Sequence, residues 1–290
     1  MYPYEIHHNL LVLGNEYFHI YLARGKRACA LVEVGVSATS SIIMEQLSSL
    51  GITPEYLIVT HPHSDHITGL DNLRGSYPDA TVIAAEEAAS FLDHPKAAHA
   101  MIAEDNHMIE ALIARGFCGS AKAIRSVPSL AGCKVVRDEE VLDLGELKLV
   151  FLEAKGHSPG NILVSIPRLK TVLASDSLGN HYPGRGFFPT FFTGYADYMN
   201  TIDRLEKLSP DMLGLAHNGF ILDKKQIERT FQNSRRCAGD VKEYIFHDQR
   251  SDEAIAQDLF GFYYTGELAV YSPQNILNCC RLLVRRVREL

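Results

Sequence analysis

The sequence predicts an α/β protein in which two sheets pack face to face and helices lie outside them, and three observations lead there. Short runs of β-branched, apolar and aromatic residues alternate with helical patterns, a rhythm that lays helices over a sheet. The rhythm occurs twice, once before residue 86 and again from about residue 139. Two stretches fall outside it, one between the halves and one after Gly219, and both read as helical.

Taken in order, residues about 5–35 read as three strands, EIHHNLLVLG, EYFHIYLARG and RACALVEVG, each ending near glycine or a charged turn. SATSSIIMEQLSSLG places Ile43, Leu47 and Leu50 on one face and stops at Gly51, as an amphipathic helix does. PEYLIVT is a short buried strand, followed at once by HPHSDHITG and then by ATVIAA as the next strand. Residues about 86–130 form a largely helical insertion divided by Pro95. Strands resume with EEVLDLG, LKLVFLEAKG, NILVSI and TVLASDS, and a helix around 197–208 (Tyr198, Ile202, Leu205) leads into the strand MLGLAH.

Beyond Gly219 three helices are expected, near 223–248, 251–262 and 272–290. Ser272 caps the last, with Pro273 in its first turn. Ile276, Cys280, Leu283, Val287 and Leu290 share one face of it. Arg281, Arg285 and Arg288 share another and read as solvated side chains, favoured near a helix C-terminus by the macrodipole.

A chain of 290 residues suits one large domain, or one domain with a helical appendage. Its composition, 46% hydrophobic and 22% charged, is that of an ordinary globular protein. No apolar run approaches the roughly 18 residues of a membrane span, and the opening MYPYEIHHNLLVLGN lacks the pattern of a secretory leader. The formal charge of −7 argues against nucleic acid as a default partner. Cys29, Cys118, Cys133, Cys237, Cys279 and Cys280 show no CxxC and no disulfide-framework spacing, so a reducing cytoplasm is expected. Cys279 and Cys280 read as small core hydrophobes. With no cysteine near the candidate ligands, any metal is held by nitrogen and oxygen.

The chemistry concentrates in THPHSDH, directly after the strand YLIVT. Strand side chains alternate with period two, so His61 and His63 project to one side and can grip one metal. Asp65 and His66, on the turn that follows, can reach a second. His157 lies in KGHSPGN, where Gly156 and Gly160 allow a tight loop; Asp176 ends TVLASD and His217 ends MLGLAH. Each follows a predicted strand, so all seven can converge on one rim of the sheets, where loops carry function.

In these motifs the chain resembles the metallo-β-lactamase superfamily over residues 5–220. The resemblance implies an αββα sandwich spanning residues 1–220, with the insertion at about 86–130, and a helical extension, residues 221–290, covering the active site. It implies two divalent metals, zinc or iron with manganese as a third candidate. His61, His63 and His157 would hold the first, Asp65, His66 and His217 the second, and Asp176 would bridge them. One departure is Glu33 in ALVEVGVS, where most of the family has aspartate; it is expected to make a supporting hydrogen bond near the site. That glutamate, the ASDSLG around Asp176 and the helical tail look like the quinolone signal response protein group of thioesterases, in which the C-terminal helices cover the active-site mouth and the metals are iron.

The expected activity is hydrolysis of a small acyl thioester by a hydroxide shared between the metals, since coordination brings the pKa of water from about 15.7 towards 7. Asp65 is expected to orient the nucleophile and take its proton. Lactone or ester hydrolysis, a phosphodiesterase and a mononuclear-iron sulfur dioxygenase are the alternatives; a scaffold role is disfavoured by the full ligand set. Phe187, Phe188, Phe191, Phe192 and Tyr195, in GRGFFPTFFTGYADY, either pack as helical core or wall an acyl pocket. The tail either packs over the metals, through Phe260, Phe262, Tyr263 and Tyr264, or simply against the sheets.

Overall fold

The chain's structure, a computed structural model, describes residues 2–182 and 186–290. It begins with four antiparallel strands, β1 (Tyr4–His7), β2 (Leu10–Gly14), β3 (His19–Arg24) and β4 (Cys29–Val32). The first run expected as a single strand is therefore a hairpin. Asn9 breaks it: its side-chain amide donates to the Arg24 carbonyl at 2.7 Å and to Glu146 Oε1 at 3.2 Å, bonds that a continuous strand could not offer.

After α1 (Ser40–Ser49) the chain runs through β5 (Tyr56–Ile58), α2 (Ser64–Ile67), α3 (Leu70–Ser76) and β6 (Thr81–Ala84). The insertion is helical as α4 (Glu86–Leu92) and α5 (Pro95–Ala114), with Pro95 at the start of α5 rather than inside a helix. Beyond Ala114 it has no regular structure until β7 (Lys134–Val135), a strand the sequence pattern does not announce. These strands form one seven-stranded sheet in the order β1-β2-β3-β4-β5-β6-β7, antiparallel up to β4 and parallel beyond it.

The second half repeats the plan. β8 (Val141–Asp143), β9 (Lys148–Glu153), β10 (Ile162–Ile166) and β11 (Thr171–Leu173) are antiparallel neighbours. The hairpin of β12 (Asn180–Tyr182) and β13 (Gly186–Phe188) stands apart as its own small sheet. α6 (Tyr195–Lys207) then returns the chain to β14 (Met212–Gly214), parallel to β11, and β15 (Phe220–Ile221) closes the edge. Three helices follow, α7 (Lys224–His247), α8 (Asp252–Tyr263) and α9 (Pro273–Arg288). Each is capped by a side chain that accepts from the first turn: Asp223, Ser251 and Ser272. Among the described residues, no helix is long and apolar enough to cross a membrane.

Strand alternation divides the core. Leu10, Val12, Tyr21 and Val32 face Phe151, Val164 and Leu173 between the two sheets. Their neighbours Leu11, Leu13, Leu22 and Leu31 face outward onto Ile43 and Leu47 of α1 and Leu70 and Leu73 of α3. On the opposite side Leu152, Leu163 and Val172 meet Tyr198, Ile202 and Leu205 of α6, and this layer continues into the C-terminal helices. The architecture is the αββα sandwich with a helical extension. Within α9, Ile276, Cys280, Leu283 and Val287 are buried as expected, but Leu290 is 63% exposed because the helix ends at Arg288 and the last residue leaves that face. Arg281 and Arg288 pair with Glu253 and Asp252 of α8 at the surface, where such pairs contribute little.

Two backbone bonds stitch the sheets together at one rim. Ile162 N donates to Thr60 O at 2.8 Å, and His19 N donates to Ala216 O at 2.9 Å. The first ties the chain just past β5 to the start of β10, and the second ties the start of β3 to the chain just past β14.

Candidate metal centre

At that rim the structure brings all seven expected side chains together. His61 lies three residues past β5, His63 in extended backbone immediately precedes the four-residue α2, and α2 presents Asp65 and His66 from its own turn. Asp176 and His217 do not end their strands; each lies three residues past the last strand position, in a turn. Left-handed Ser175 (φ 45°) and Asn218 (φ 55°) supply the bends. His157 hangs on a loop that only glycine permits. Gly156 has φ +101°, and a Cβ there would fall 2.2 Å from Tyr198 N.

The donor atoms form two groups, His61, His63 and His157, and Asp65, His66, Asp176 and His217, each with its atoms within 4.8 Å of one another. His63 is half-buried and the other six are buried. Asp176 sits between the groups: its Oδ2 is 3.7 Å from His157 Nε2 and 3.4 Å from His66 Nε2, and its Oδ1 is 3.2 Å from His217 Nε2.

Partners behind the imidazoles aim them. His66 Nδ1 meets Glu33 Oε2 at 2.9 Å, His157 Nδ1 meets the Thr190 carbonyl at 3.1 Å, and His217 Nδ1 meets the Tyr17 carbonyl at 2.6 Å. Each bond engages Nδ1 and leaves Nε2 facing inward. Glu33, with φ 75°, also accepts from Thr60 Oγ1 at 2.8 Å and from Ser175 Oγ at 2.7 Å. It makes the supporting bond expected of it. Thr60 and Ser175, which complete this network, carry no recognisable signal in the sequence.

The two groups differ electrostatically. Burial, reinforced by neighbouring imidazoles, holds His61 well below the usual histidine range and pushes His63 down to about 3; burial lowers His157 too. That group is thus neutral, the form in which imidazole binds a cation. In the second group burial opposes every charge, yet opposite charges outweigh it. Asp65 and Asp176 stay well below the carboxylate range through His66 and His217. His66 is raised in return, and His217 reaches about 10, Asp176 being the largest contributor against its burial.

A divalent cation suits this donor set. His66 Nε2 and Asp176 Oδ1 are buried without a hydrogen-bond partner among the described residues, and two ring nitrogens, His61 Nε2 and His157 Nε2, face each other at 3.2 Å. Convergent lone pairs and buried carboxylates are costly unless a cation or proton sits among them. Nitrogen and carboxylate oxygen are the ligands of zinc and of iron or manganese alike.

A cavity of about 300 Å³ opens onto four of the candidate ligands, His63, Asp65, His157 and Asp176. Phe91, Met101, Phe188, Phe192, Leu268 and Ile276 give it an apolar wall. The two readings of the aromatic stretch divide between its residues. Phe188 and Phe192 line the cavity, whereas Phe191 packs on Tyr195 and Tyr198. Phe187 and Phe188 sit on β13 rather than on a helix, and Gly184 and Arg185 of that stretch lie outside the described residues.

The tail reaches the cavity, but through other residues than expected: Leu268, Tyr271, Asn275, Ile276, Cys279 and Leu282. Phe260, Phe262, Tyr263 and Tyr264 do not line it. α8 turns Phe262 outward to 70% exposure, Phe260 stacks on Tyr264, and Tyr263 packs against Phe188 from behind. Cys279 is correspondingly a cavity residue and only Cys280 a core one. Sequence reasoning also missed Tyr271, whose hydroxyl donates to Asp65 Oδ2 at 2.8 Å.

The sequence profile of the metallo-beta-lactamase superfamily matches residues 17–217. An uncharacterised Bacillus subtilis protein, YobT, is 23% identical over 212 residues, which are 69% of this chain and 83% of that one. Hydroxyacylglutathione hydrolase from Yersinia pestis is 32% identical over 68 residues, so the match spans 23% of this chain and about a quarter (26%) of the hydrolase. Among solved structures, an archaeal metallo-beta-lactamase superfamily protein from Sulfolobus tokodaii superposes with a TM-score of 0.63 at 20% identity, over 97% of this chain and 99% of that one.

Proposed function

The chain belongs to the metallo-beta-lactamase superfamily and is a metal-dependent hydrolase, and from that premise we propose that it is a dinuclear enzyme cleaving small acyl thioesters. The observation that carries the reading is the pair of buried donor groups with Asp176 between them. In this reading His61, His63 and His157 would hold one ion and Asp65, His66 and His217 the other, with Asp176 placed to serve both. Such a pair, when bound, supplies Lewis acidity and a nucleophile from water at neutral pH.

The residues do the rest. Asp65, buried and held ionised, takes the proton of the attacking water as the water oxygen bonds to the acyl carbon. The C–S bond then breaks and the proton passes to the departing sulfur. Among the described residues, Tyr271 is the one neutral hydroxyl bonded to a ligand carboxylate, so a leaving group that departs without a strong acid suits the site, and a thiolate is such a group. The apolar wall suits an acyl chain. The local likeness to a hydrolase named for an acylglutathione points the same way.

We take residues 1–220 as the catalytic unit and residues 221–290 as an extension closing its mouth. Glu33, the ASDSLG around Asp176 and the three terminal helices favour the quinolone signal response protein group within the superfamily. The six cysteines are free, which suits the cytoplasm, and the partner is a small molecule rather than nucleic acid or membrane.

A panel of acyl-CoA thioesters, lactones and bis(4-nitrophenyl) phosphate, offered to protein of known metal content, tests the reading. Thioesters should turn over at least tenfold faster than the others. Preference for a lactone or the phosphodiester would replace the thioester assignment, and oxygen uptake with a persulfide in place of hydrolysis would replace the reaction class.

A further inference from the structure

Tyr271 reaches the ligands from 206 residues away in sequence. Its ring is buried, its hydroxyl donates to Asp65 Oδ2 at 2.8 Å, and the same oxygen lies 3.5 Å from His217 Nε2. It also lines the cavity. Thr190, another hydroxyl in the lining, already donates to the Asp176 carbonyl at 2.9 Å.

The backbone around Tyr271 is tied down on both sides. Its own N–H donates to Leu268 O at 3.0 Å, and Tyr264 Oη donates to its carbonyl at 3.1 Å. The next residue, Ser272, caps α9 and is gripped by Glu104 of α5. Ser272 N donates to Glu104 Oε1 at 2.9 Å, and Ser272 Oγ donates to Glu104 Oε2. Glu104 is itself buried and belongs to the insertion. The two additions to the sandwich, the insertion and the tail, are thus latched together one residue from a hydroxyl that touches the ligand group.

The geometry points to Tyr271 as a catalytic residue that donates its phenolic hydrogen bond to the reacting carbonyl oxygen, and to Glu104 as the residue that positions it. This rests on the reading of the site as one for acyl esters or thioesters. A carboxylate that shares its charge with a cation is a weaker acceptor, so the phenol's proton is then free for a nearby oxygen on which negative charge develops. A fixed donor there strengthens its bond as the carbonyl becomes tetrahedral, and removing such a donor typically costs about 10²–10³ in kcat. No proton is transferred by this group, and the phenol is unchanged at the end of the cycle.

The experiment compares wild type, Tyr271→Phe, Glu104→Gln and the double variant, each with its metal content measured. The substrates are 4-nitrophenyl butyrate and the butyryl thioester of N-acetylcysteamine, and binding of butylphosphonate as a tetrahedral mimic is followed by calorimetry. Tyr271→Phe should keep the wild-type metal content, lose about a hundredfold in kcat with KM within threefold, and bind the phosphonate at least tenfold more weakly. Glu104→Gln should lose about tenfold in kcat alone and nothing further in the Tyr271→Phe background, since a positioning residue has no effect once the hydroxyl is gone. Unchanged kcat and phosphonate affinity in Tyr271→Phe would overturn the assignment. So would a loss of metal that accounts for its loss of activity, and additive effects in the double variant would overturn the role of Glu104. A wild type inactive on both substrates would refute the acyl reading alone, and phosphonate binding would then decide Tyr271 by itself.

Discussion

Single residues at this rim are placed by what lies behind them, and His19 shows the consequence for stability. It starts β3, is 3% exposed, and meets Tyr2 Oη at 2.8 Å. Burial, helped by the charge on His217, pushes it down to about 4 from 6.5. The folded protein therefore holds His19 neutral while the unfolded chain protonates it below 6.5. Its contribution is fully present above that pH and is lost as the pH falls through about 4, a change of about 3 kcal/mol. Urea unfolding of His19→Gln between pH 7 and pH 4 should show a flatter decline than wild type, and an equal slope would contradict this. The seven candidate ligands were legible because four of them crowd into one heptapeptide and three follow strands. Thr60, Ser175 and Tyr271 were not, since a serine, a threonine or a tyrosine declares nothing until the fold supplies its partner.

The elements divide by how local their causes are. α7, α8 and α9 were readable almost to the residue because their caps and their apolar faces lie within single stretches. The β1–β2 hairpin was not, because the bonds that turn Asn9 come from Arg24 and Glu146. Nor was the choice of which tail residues meet the cavity. The pattern DLFGFYYTG is aromatic, but α8 packs its other side, and the wall is built from α9 and the turn before it. Leu282 lines the cavity while Phe262 stands in solvent. Leu282→Ala should lengthen the cavity and shift preference towards longer acyl chains, by up to about fifteenfold per added pair of methylenes if each contributes near 0.8 kcal/mol. Phe262→Ala should change neither chain-length preference nor stability beyond about 0.5 kcal/mol. Initial rates on C4 to C10 thioesters check both, and a shift in Phe262→Ala without one in Leu282→Ala would return the wall to α8.

At the scale of the whole molecule, two similar half-sandwiches are stitched at one rim, and the stitch is where the donors meet. Ile162 to Thr60 and His19 to Ala216 join the sheets beside His61 and His217, so the fold's closure and the site's assembly are one event. Alternating strands and helices were enough to foresee the two layers, whereas the stitches, being long-range backbone bonds, leave no pattern in sequence. Any cation bound there favours the folded state over the unfolded one. Titrating metal-depleted protein with zinc, while following bound metal, thermal stability and thioester hydrolysis, tests the central claim most directly. Wild type should bind two ions per chain, gain stability, and recover hydrolysis that chelation abolishes, whereas Asp176→Ala should hold at most one ion tightly and stay nearly inactive. Saturation of wild type at one ion or none, or hydrolysis that survives chelation, would contradict a dinuclear hydrolase.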